Sequence, residues 1–198
     1  MRVQPVRSRE LVYRITDALA ADTSRQGRRR YLMWLTGIYT GRRISDILKL
    51  RVRDVLGREA VQISEQKTGK SAEIYIPRDS ELFRAYLERL ADMDPNAYVF
   101  ESPIPDPKTG SHRPVNRRTA YRDIQAIKDL FELTENLGTH TMRKTFGYWY
   151  YHDTHDIGGL MIIFNHSSEK VTKIYIGIGT DETRNAYKRI ADMYRNPR

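Results

Sequence analysis

Residues 61 to 76 read VQISEQKTGKSAEIYI, and this stretch decides the fold class. Apolar and polar residues alternate over 61–64 and again over 73–76, with Lys67, Thr68, Gly69 and Lys70 between them. A period of two on both sides of a glycine-containing turn predicts an antiparallel β-hairpin. Because apolar residues elsewhere recur mostly at helical spacing, we expect a mainly α protein with a small antiparallel β-sheet, of the α+β class.

Helices are predicted on both sides of the hairpin from apolar spacing and from capping residues such as Ser8, Ser80 and Asn116. A short buried strand is expected at 98–100, followed by a Pro- and Gly-containing loop at 103–114. The predicted helices begin at Ser8, Ser80 and Asn116 and otherwise cover 25–39, 44–50, 141–151, 157–164, 168–176 and 182–194.

The 198 residues fit one domain, 1–198, with a short N-terminal tail at 1–7 and a C-terminal tail helix within 180–198. The chain has no cysteine, which excludes thiol catalysis and cysteine-type zinc sites. Its longest apolar run, at 160–164, is too short to cross a membrane, so a cytoplasmic protein is expected. The formal charge of +9 favours a polyanionic partner such as nucleic acid.

Four short segments carry side chains suited to phosphate chemistry. Taken alone, each has an ordinary interpretation as a solvated charge or a capped amphipathic helix. Spacings of three residues place the first and third pairs on one helix face each. In chain order the segments supply Arg43 with Asp46, Lys67 with Lys70 at the hairpin tip, His140 with Arg143, and His166 followed nine residues later by Tyr175.

Together and in this order, the segments resemble the catalytic domain of the tyrosine recombinases, or phage integrases. The resemblance runs from about Ser8 to the end of the chain. Flanking residues agree as well: Leu48 and Leu50, Thr145 and Phe146, and Ser167 and Ser168. It implies a site-specific DNA recombinase that cleaves and rejoins strands through a covalent 3′-phosphotyrosyl intermediate, without metal or nucleotide cofactor.

The resemblance also implies a role for each side chain. Arg43 and Arg143 present guanidinium forks to the non-bridging phosphate oxygens, and His166 adds a hydrogen bond there. Tyr175 is the nucleophile; a free phenol has a pKa of about 10, and surrounding cations favour its phenolate. His140 accepts the phenolic proton, and Lys67 donates a proton to the departing 5′ oxygen, with Lys70 as the alternative donor. Asp46 orients the other side chains.

Some positions depart from the family pattern. Arg42 stands where a small or apolar residue is usual, and Asn165 replaces a glycine, although Asn tolerates the left-handed backbone. Only 1–7 precede the first catalytic-domain helix, so we expect this chain to lack the separate core-binding domain, as a naturally minimal or a truncated form, and to bind DNA weakly. The resemblance implies double-stranded DNA as a partner, together with accessory DNA-bending or directionality proteins. It also implies a dimer or tetramer of this chain, whose copies the tail helix could link. The expected origin is prokaryotic, archaeal or viral.

Other interpretations of the sequence stay open. One is a DNA-binding regulator that keeps the fold without catalysis, and another is a type IB-like topoisomerase, which shares the phosphotyrosine chemistry. The cluster His152, Asp153, His155 and Asp156 could bind a metal, but it lacks a third anchored ligand or a metalloprotease pattern. The ordinary interpretation is that this cluster ends one helix and opens the next.

Overall fold

A computed structural model describes residues 3–66, 69, 71–76 and 80–195 of the chain. The chain divides into two compact units, residues 1–146 and 147–198. The described part is mostly helical with a two-stranded antiparallel sheet, which confirms the predicted fold class. The prediction of a single domain spanning 1–198 stays a prediction.

The first unit is built on two N-terminal helices, α1 (Arg9–Ala21) and α2 (Arg25–Thr40). The hydroxyls of Ser8 and Ser24 cap them by accepting hydrogen bonds from Leu11 N and Gly27 N. Their apolar faces meet in the core, where the fully buried Trp34 donates from its indole nitrogen to Thr16 Oγ1 at 3.0 Å. This packing fixes the end of α2, which leads into the first functional segment.

The β-hairpin forms where the alternation of apolar and polar residues predicts it. Strands β1 (Ala60–Ser64) and β2 (Ser71–Tyr75) pair antiparallel, with Val61 opposite Ile74. Both of these side chains are buried, so one face of the hairpin lies on the core. The predicted turn lysines, Lys67 and Lys70, lie outside the described residues.

Two features of the first unit differ from the sequence prediction. A short helix, α4 (Val52–Leu56), follows α3 (Ile44–Ile47) and was not expected. Residues 98–100 do not form a strand: Tyr98 makes an isolated bridge to Arg51, flanked by hydrogen bonds from Val52 N to Ala97 O and from Val99 N to Leu50 O. Pairing stops after one bridge because the chain enters α4 at Val52.

The remaining helices of the first unit follow the predicted pattern. They are α5 (Glu81–Ala91), α6 (Arg117–Leu130), whose N-cap is Asn116, and the start of α7 (Thr141–Thr154). The apolar side of α6, with Ala120, Ile124 and Ile127, is buried. Residues 141–146 at the start of α7 carry the third functional segment.

The second unit contains residues 147–154 of α7, then α8 (Ile157–Phe164), α9 (Glu169–Ile176) and α10 (Ile178–Arg195). Gly147 allows close packing, because a Cβ there would lie 2.6 Å from Ile176 Cγ2 and 2.7 Å from Phe164 Cζ. The tail helix begins at Ile178, directly after the left-handed Gly177, and not at the predicted start near Glu182.

Across the described residues, no helix combines the length and apolar character that crossing a membrane would require.

Candidate active site

Arg43 lies at the N-cap of α3 and is held by a buried acid of the hairpin. Its Nη1 lies 2.8 Å from Oε2 of Glu65, whose side chain is fully buried. Glu65 directly follows β1 and precedes the lysine-containing turn by one residue. The ion pair therefore joins the turn end of β1 to the start of α3.

Arg42, which departs from the family pattern, strengthens the same connection. Its Nη2 donates to the carbonyl oxygen of Glu73 in β2 at 2.7 Å, and its Nη1 lies 3.7 Å from Glu65 Oε1. Burial lowers the pKa of the Arg42 guanidinium, and the neighbouring carboxylates of Glu65 and Asp46 oppose that shift. Arg42 thus holds β2 while Arg43 pairs with the acid that follows β1.

Asp46 is the third link to the hairpin. Its buried carboxylate accepts a hydrogen bond from Gln66 N at 3.0 Å through Oδ1 and is approached by the hydroxyl of Ser45 at 3.3 Å. The predicted role of Asp46, to orient a neighbouring Arg or His, stays a prediction. The hydrogen bond also ties Asp46 to the residue that precedes Lys67 in the sequence.

Arg143 and His140 stand at the start of α7 in the first unit. The Arg143 side chain is buried, and its Nη1 donates to the carbonyl oxygen of Gly41 at 2.7 Å. Gly41 ends α2 in the left-handed conformation, with a φ of 60°. Since Arg43 lies only two residues further along the chain, the bond brings the second and the first predicted arginine into the same region.

The positive charges of Arg43 and Arg143 both act on the pKa of His140. Burial lowers the pKa of the His140 imidazole, and Arg143, Lys144, Arg117 and Arg43 lower it further, in that order. The imidazole is therefore neutral over more of the pH range than a histidine with an unshifted pKa. A neutral imidazole can accept a proton, which is the function predicted for His140.

Among the described residues near the turn at Gly41 and the start of α7, buried basic side chains outnumber buried acidic ones. Arg42, Arg143 and Lys144 are buried and Arg43 is largely so, whereas the buried carboxylates in the same region are Asp46 and Glu65. An anionic group brought to these cations would interact with them strongly, because burial reduces screening by water. Such an arrangement is suited to binding a phosphate group.

His166 and Tyr175 come together in the second unit. The rings of His166 and Tyr175 meet edge to face, with centroids 5.5 Å apart, and each also contacts Phe164. His166 follows Asn165, which has the left-handed φ of 54° expected of a glycine substitute. Its backbone nitrogen donates to Met161 O at 2.9 Å, which fixes the turn that presents the imidazole.

The structure therefore groups Arg43, Asp46, His140 and Arg143 in the first unit, and His166 with Tyr175 in the second. Lys67 and its alternative Lys70 lie outside the described residues. The assignment of these residues as a catalytic set stays a prediction.

The cluster at 152–156 has a structural role in the second unit. Asp156 caps α8 by accepting from Gly159 N at 2.8 Å, and it also accepts from the hydroxyl of Tyr150 at 3.1 Å. The prediction that the cluster opens the next helix is confirmed, although α7 continues to Thr154. Among the described residues, no three His, Asp or Glu side chains form a group that could hold a metal ion.

Sequence reasoning missed three polar residues that contact or lie beside the predicted ones. They are Glu65, paired with Arg43; Lys144, a buried cation that acts on His140; and Thr172, bonded to His166. Glu65 could have been noticed as an acid at an inward position of a hairpin face. Lys144 and Thr172 carry no such pattern, since their contacts depend on tertiary structure.

Comparisons with known proteins agree with this arrangement of helices and hairpin. The sequence profile described as the Phage integrase family matches residues 9–180. The probable integrase/recombinase YoeC of Bacillus subtilis (strain 168) is 39% identical over 186 residues, which cover 94% of this chain and 96% of that protein.

Solved structures share the fold at lower identity. XerA recombinase superposes with a TM-score of 0.69 at 23% identity, covering 98% of this chain and 65% of that one. The post-cleavage complex of XerH site-specific recombinase with palindromic difH substrate gives a TM-score of 0.64 at 19% identity, covering 87% and 48%. The chain thus spans between about half and two thirds of the length of these two proteins. From the profile match over most of its length and the relative at 39% identity, this chain belongs to the phage integrase family.

Proposed function

We propose that this chain is a site-specific DNA recombinase that breaks and rejoins strands through a covalent 3′-phosphotyrosyl intermediate. The family membership supports recombinase activity in general. The observation that carries the finer proposal is the meeting of three arginines at the Gly41 turn, where Arg42 and Arg143 are buried and Arg43 is largely so. These cations match the charge of a scissile phosphodiester.

In the proposed reaction, the Tyr175 oxygen attacks the phosphorus and the bond from phosphorus to the 5′ oxygen breaks. His140 accepts the phenolic proton, and Lys67 or Lys70 donates a proton to the departing 5′ oxygen. Arg43, Arg143 and His166 stabilise the negative charge on the non-bridging oxygens, where one such donor is worth roughly 2.7–4 kcal/mol. The step is a transesterification, so the 5′ hydroxyl of a second strand can reverse it.

The partners of this reaction are proposed from the same chemistry. XerH recombinase was solved with a palindromic substrate, and a palindrome offers two equivalent half-sites to two copies of a protein. We expect this chain likewise to act on double-stranded DNA as a homo-oligomer. Light scattering of the protein with DNA should give a mass of at least two copies for each duplex.

The decisive experiment captures the covalent intermediate on DNA of randomised sequence. A pool of nicked duplexes, randomised around the nick, is incubated with the protein and denatured, and the protein-linked DNA is sequenced. The wild-type protein should form an adduct that survives denaturation, with an enriched sequence. Tyr175→Phe should form none, whereas the control Tyr187→Phe, which alters an exposed tyrosine of α10, should behave as the wild type.

Two outcomes would overturn the proposal. Sequence-specific binding without any tyrosine-dependent adduct would show that the protein is a DNA-binding regulator. An adduct that forms without sequence enrichment and accompanies relaxation of supercoiled plasmid would instead indicate a topoisomerase.

A further inference from the structure

Thr172 contacts the imidazole of His166 from the first turn of α9. The Nδ1 atom of His166 lies 3.1 Å from Oγ1 of Thr172, and the threonine side chain is buried. The same hydroxyl lies 2.9 Å from the carbonyl oxygen of Ser168, one helical turn earlier. A single hydroxyl group therefore stands between an imidazole nitrogen and a carbonyl oxygen.

The direction of these two hydrogen bonds follows from the chemistry of the three groups. A carbonyl oxygen can only accept, so the one proton of the Thr172 hydroxyl goes to Ser168. The hydroxyl oxygen must then accept from His166, which requires a proton on Nδ1. In the neutral ring the lone pair consequently lies on Nε2.

We infer that Thr172 is a positioning residue that fixes the proton of His166 on Nδ1 and thereby makes the imidazolium the form that donates to the phosphate. With Nδ1 protonated, Nε2 carries a proton only when the ring is cationic. The cation can donate to Thr172 and to a phosphate oxygen at once, and its bond to the phosphate is charge-assisted. The role at the phosphate rests on the proposed function; the assignment of the ring proton does not.

The surroundings of His166 favour a single orientation of the ring. Its edge-to-face contacts with Phe164 and Tyr175 have centroid distances of 5.3 and 5.5 Å. The backbone bond from His166 N to Met161 O fixes the residue at the end of α8. With the ring held on two sides, the contact of Nδ1 with Thr172 decides which nitrogen carries the proton of the neutral form.

The experiment uses three variants of the full chain. Thr172→Val keeps the shape of the side chain but removes the acceptor, and Thr172→Ser restores a hydroxyl. Thr154→Val is the matched control, because Thr154 makes the same bond to the carbonyl one turn earlier, to Tyr150 O at 2.7 Å, and is exposed. Each variant is examined by long-range ¹H–¹⁵N NMR of the histidine rings, with His166→Gln used to assign the His166 signals.

At a pH where the ring is neutral, we expect His166 to carry its proton on Nδ1 in the wild type, Thr172→Ser and Thr154→Val. In Thr172→Val the proton should move in part to Nε2. A wild-type ring protonated on Nε2, or a valine variant with an unchanged tautomer, would overturn the assignment of the ring proton.

Adduct formation on the sequences selected by the capture experiment tests the link to catalysis. Thr172→Val should form adduct about 10- to 100-fold more slowly, as expected when the partner that orients a functional histidine is lost. Thr172→Ser should recover most of the rate, and Thr154→Val should keep it. A changed tautomer with an unchanged rate would show that Thr172 has no role in the reaction. If the wild type forms no adduct at all, the proposed function fails while the NMR result still decides the assignment of the ring proton.

Discussion

At the scale of single residues, Glu65 is the acid on which the arginines at 42 and 43 converge. Its carboxylate is completely buried and lies 2.8 Å from Arg43 and 3.7 Å from Arg42. A buried carboxylate is stable only when cations or donors surround it. Glu65 therefore fixes where the Arg43 guanidinium lies before any substrate binds.

Replacing Glu65 by glutamine tests this role. Glu65→Gln leaves the two arginines without their shared anion, so we expect the free energy of unfolding to fall by the order of 3 kcal/mol. Adduct formation should slow by about tenfold or more, because Arg43 is no longer oriented. Chemical denaturation and single-turnover kinetics provide the two measurements.

Glu73→Gln is the matched control, since it makes the same change in the opposite strand. The Glu73 side chain is exposed, and its contact with Arg42 is through the backbone carbonyl, which the substitution preserves. Equal losses in the two variants would refute a specific role for Glu65.

His140 is the residue whose environment predicts a pH effect. Its pKa is lowered by burial first and then by four cations that include Arg117, an exposed residue at the start of α6. Because the folded protein holds this proton less tightly than the unfolded chain, His140 contributes to a loss of stability as the pH falls below the ordinary histidine pKa.

Removing one of these cations should move the His140 titration in a known direction. In Arg117→Gln the pKa of His140 should rise toward its ordinary value, measured by NMR titration at low ionic strength, where exposed charges are least screened. Arg118→Gln removes a neighbouring exposed cation of α6 that is not among those acting on His140, and should leave the titration unchanged. A shift in the opposite direction, or equal shifts in both variants, would contradict the electrostatic explanation.

At the scale of elements, the turn from α2 into α3 contributes both to the packing of the fold and to the candidate site. Gly41 has a φ of 60°, accepts the Arg143 hydrogen bond through its carbonyl, and lies against Phe146. A Cβ at this position would lie 2.4 Å from the Phe146 ring. Glycine is therefore required here both by the backbone and by the neighbouring aromatic side chain.

Gly41→Ala should be strongly destabilising. Left-handed strain of about 1–2 kcal/mol and overpacking of about 1–3 kcal/mol add to a loss of roughly 2–5 kcal/mol in the free energy of unfolding. Gly57→Ala is the comparison, because Gly57 has a negative φ of −97° and a Cβ there meets nothing within 4 Å. Thermal and denaturant unfolding should separate the two variants; similar stabilities would contradict the requirement at Gly41.

At the scale of the whole molecule, the charge of +9 predicts how DNA binding depends on salt. Each phosphate that a Lys or Arg neutralises releases counterions, so affinity falls as the salt concentration rises. If six to ten phosphates are contacted, affinity should fall by about 10³- to 10⁵-fold between 50 and 200 mM salt. Fluorescence anisotropy with a labelled duplex measures this, and an affinity independent of salt would contradict a phosphate-based interface.

Much of the architecture could be predicted from the sequence, because the spacing of apolar residues in long segments such as α2, α6 and the hairpin indicates their secondary structure. The short helix α4 could not, since its single turn depends on Asp54 accepting from Arg51 N. Residues 98–100 look like a strand but find one bridging partner, because the chain opposite them turns into a helix. The site residues were predicted from motif order, whereas Lys144 and Thr172 became evident only from their contacts.

The hydrogen bond from Arg143 to Gly41 has an evolutionary consequence. Arg143 and Arg43 hold the polypeptide together as well as being suited to an anion, so a descendant without the proposed cleavage activity would still need them to fold. The half-buried Tyr175 is under a weaker constraint of this kind. Genomes should therefore contain inactive descendants that retain both arginines and have lost the tyrosine, and the reverse combination should be rare.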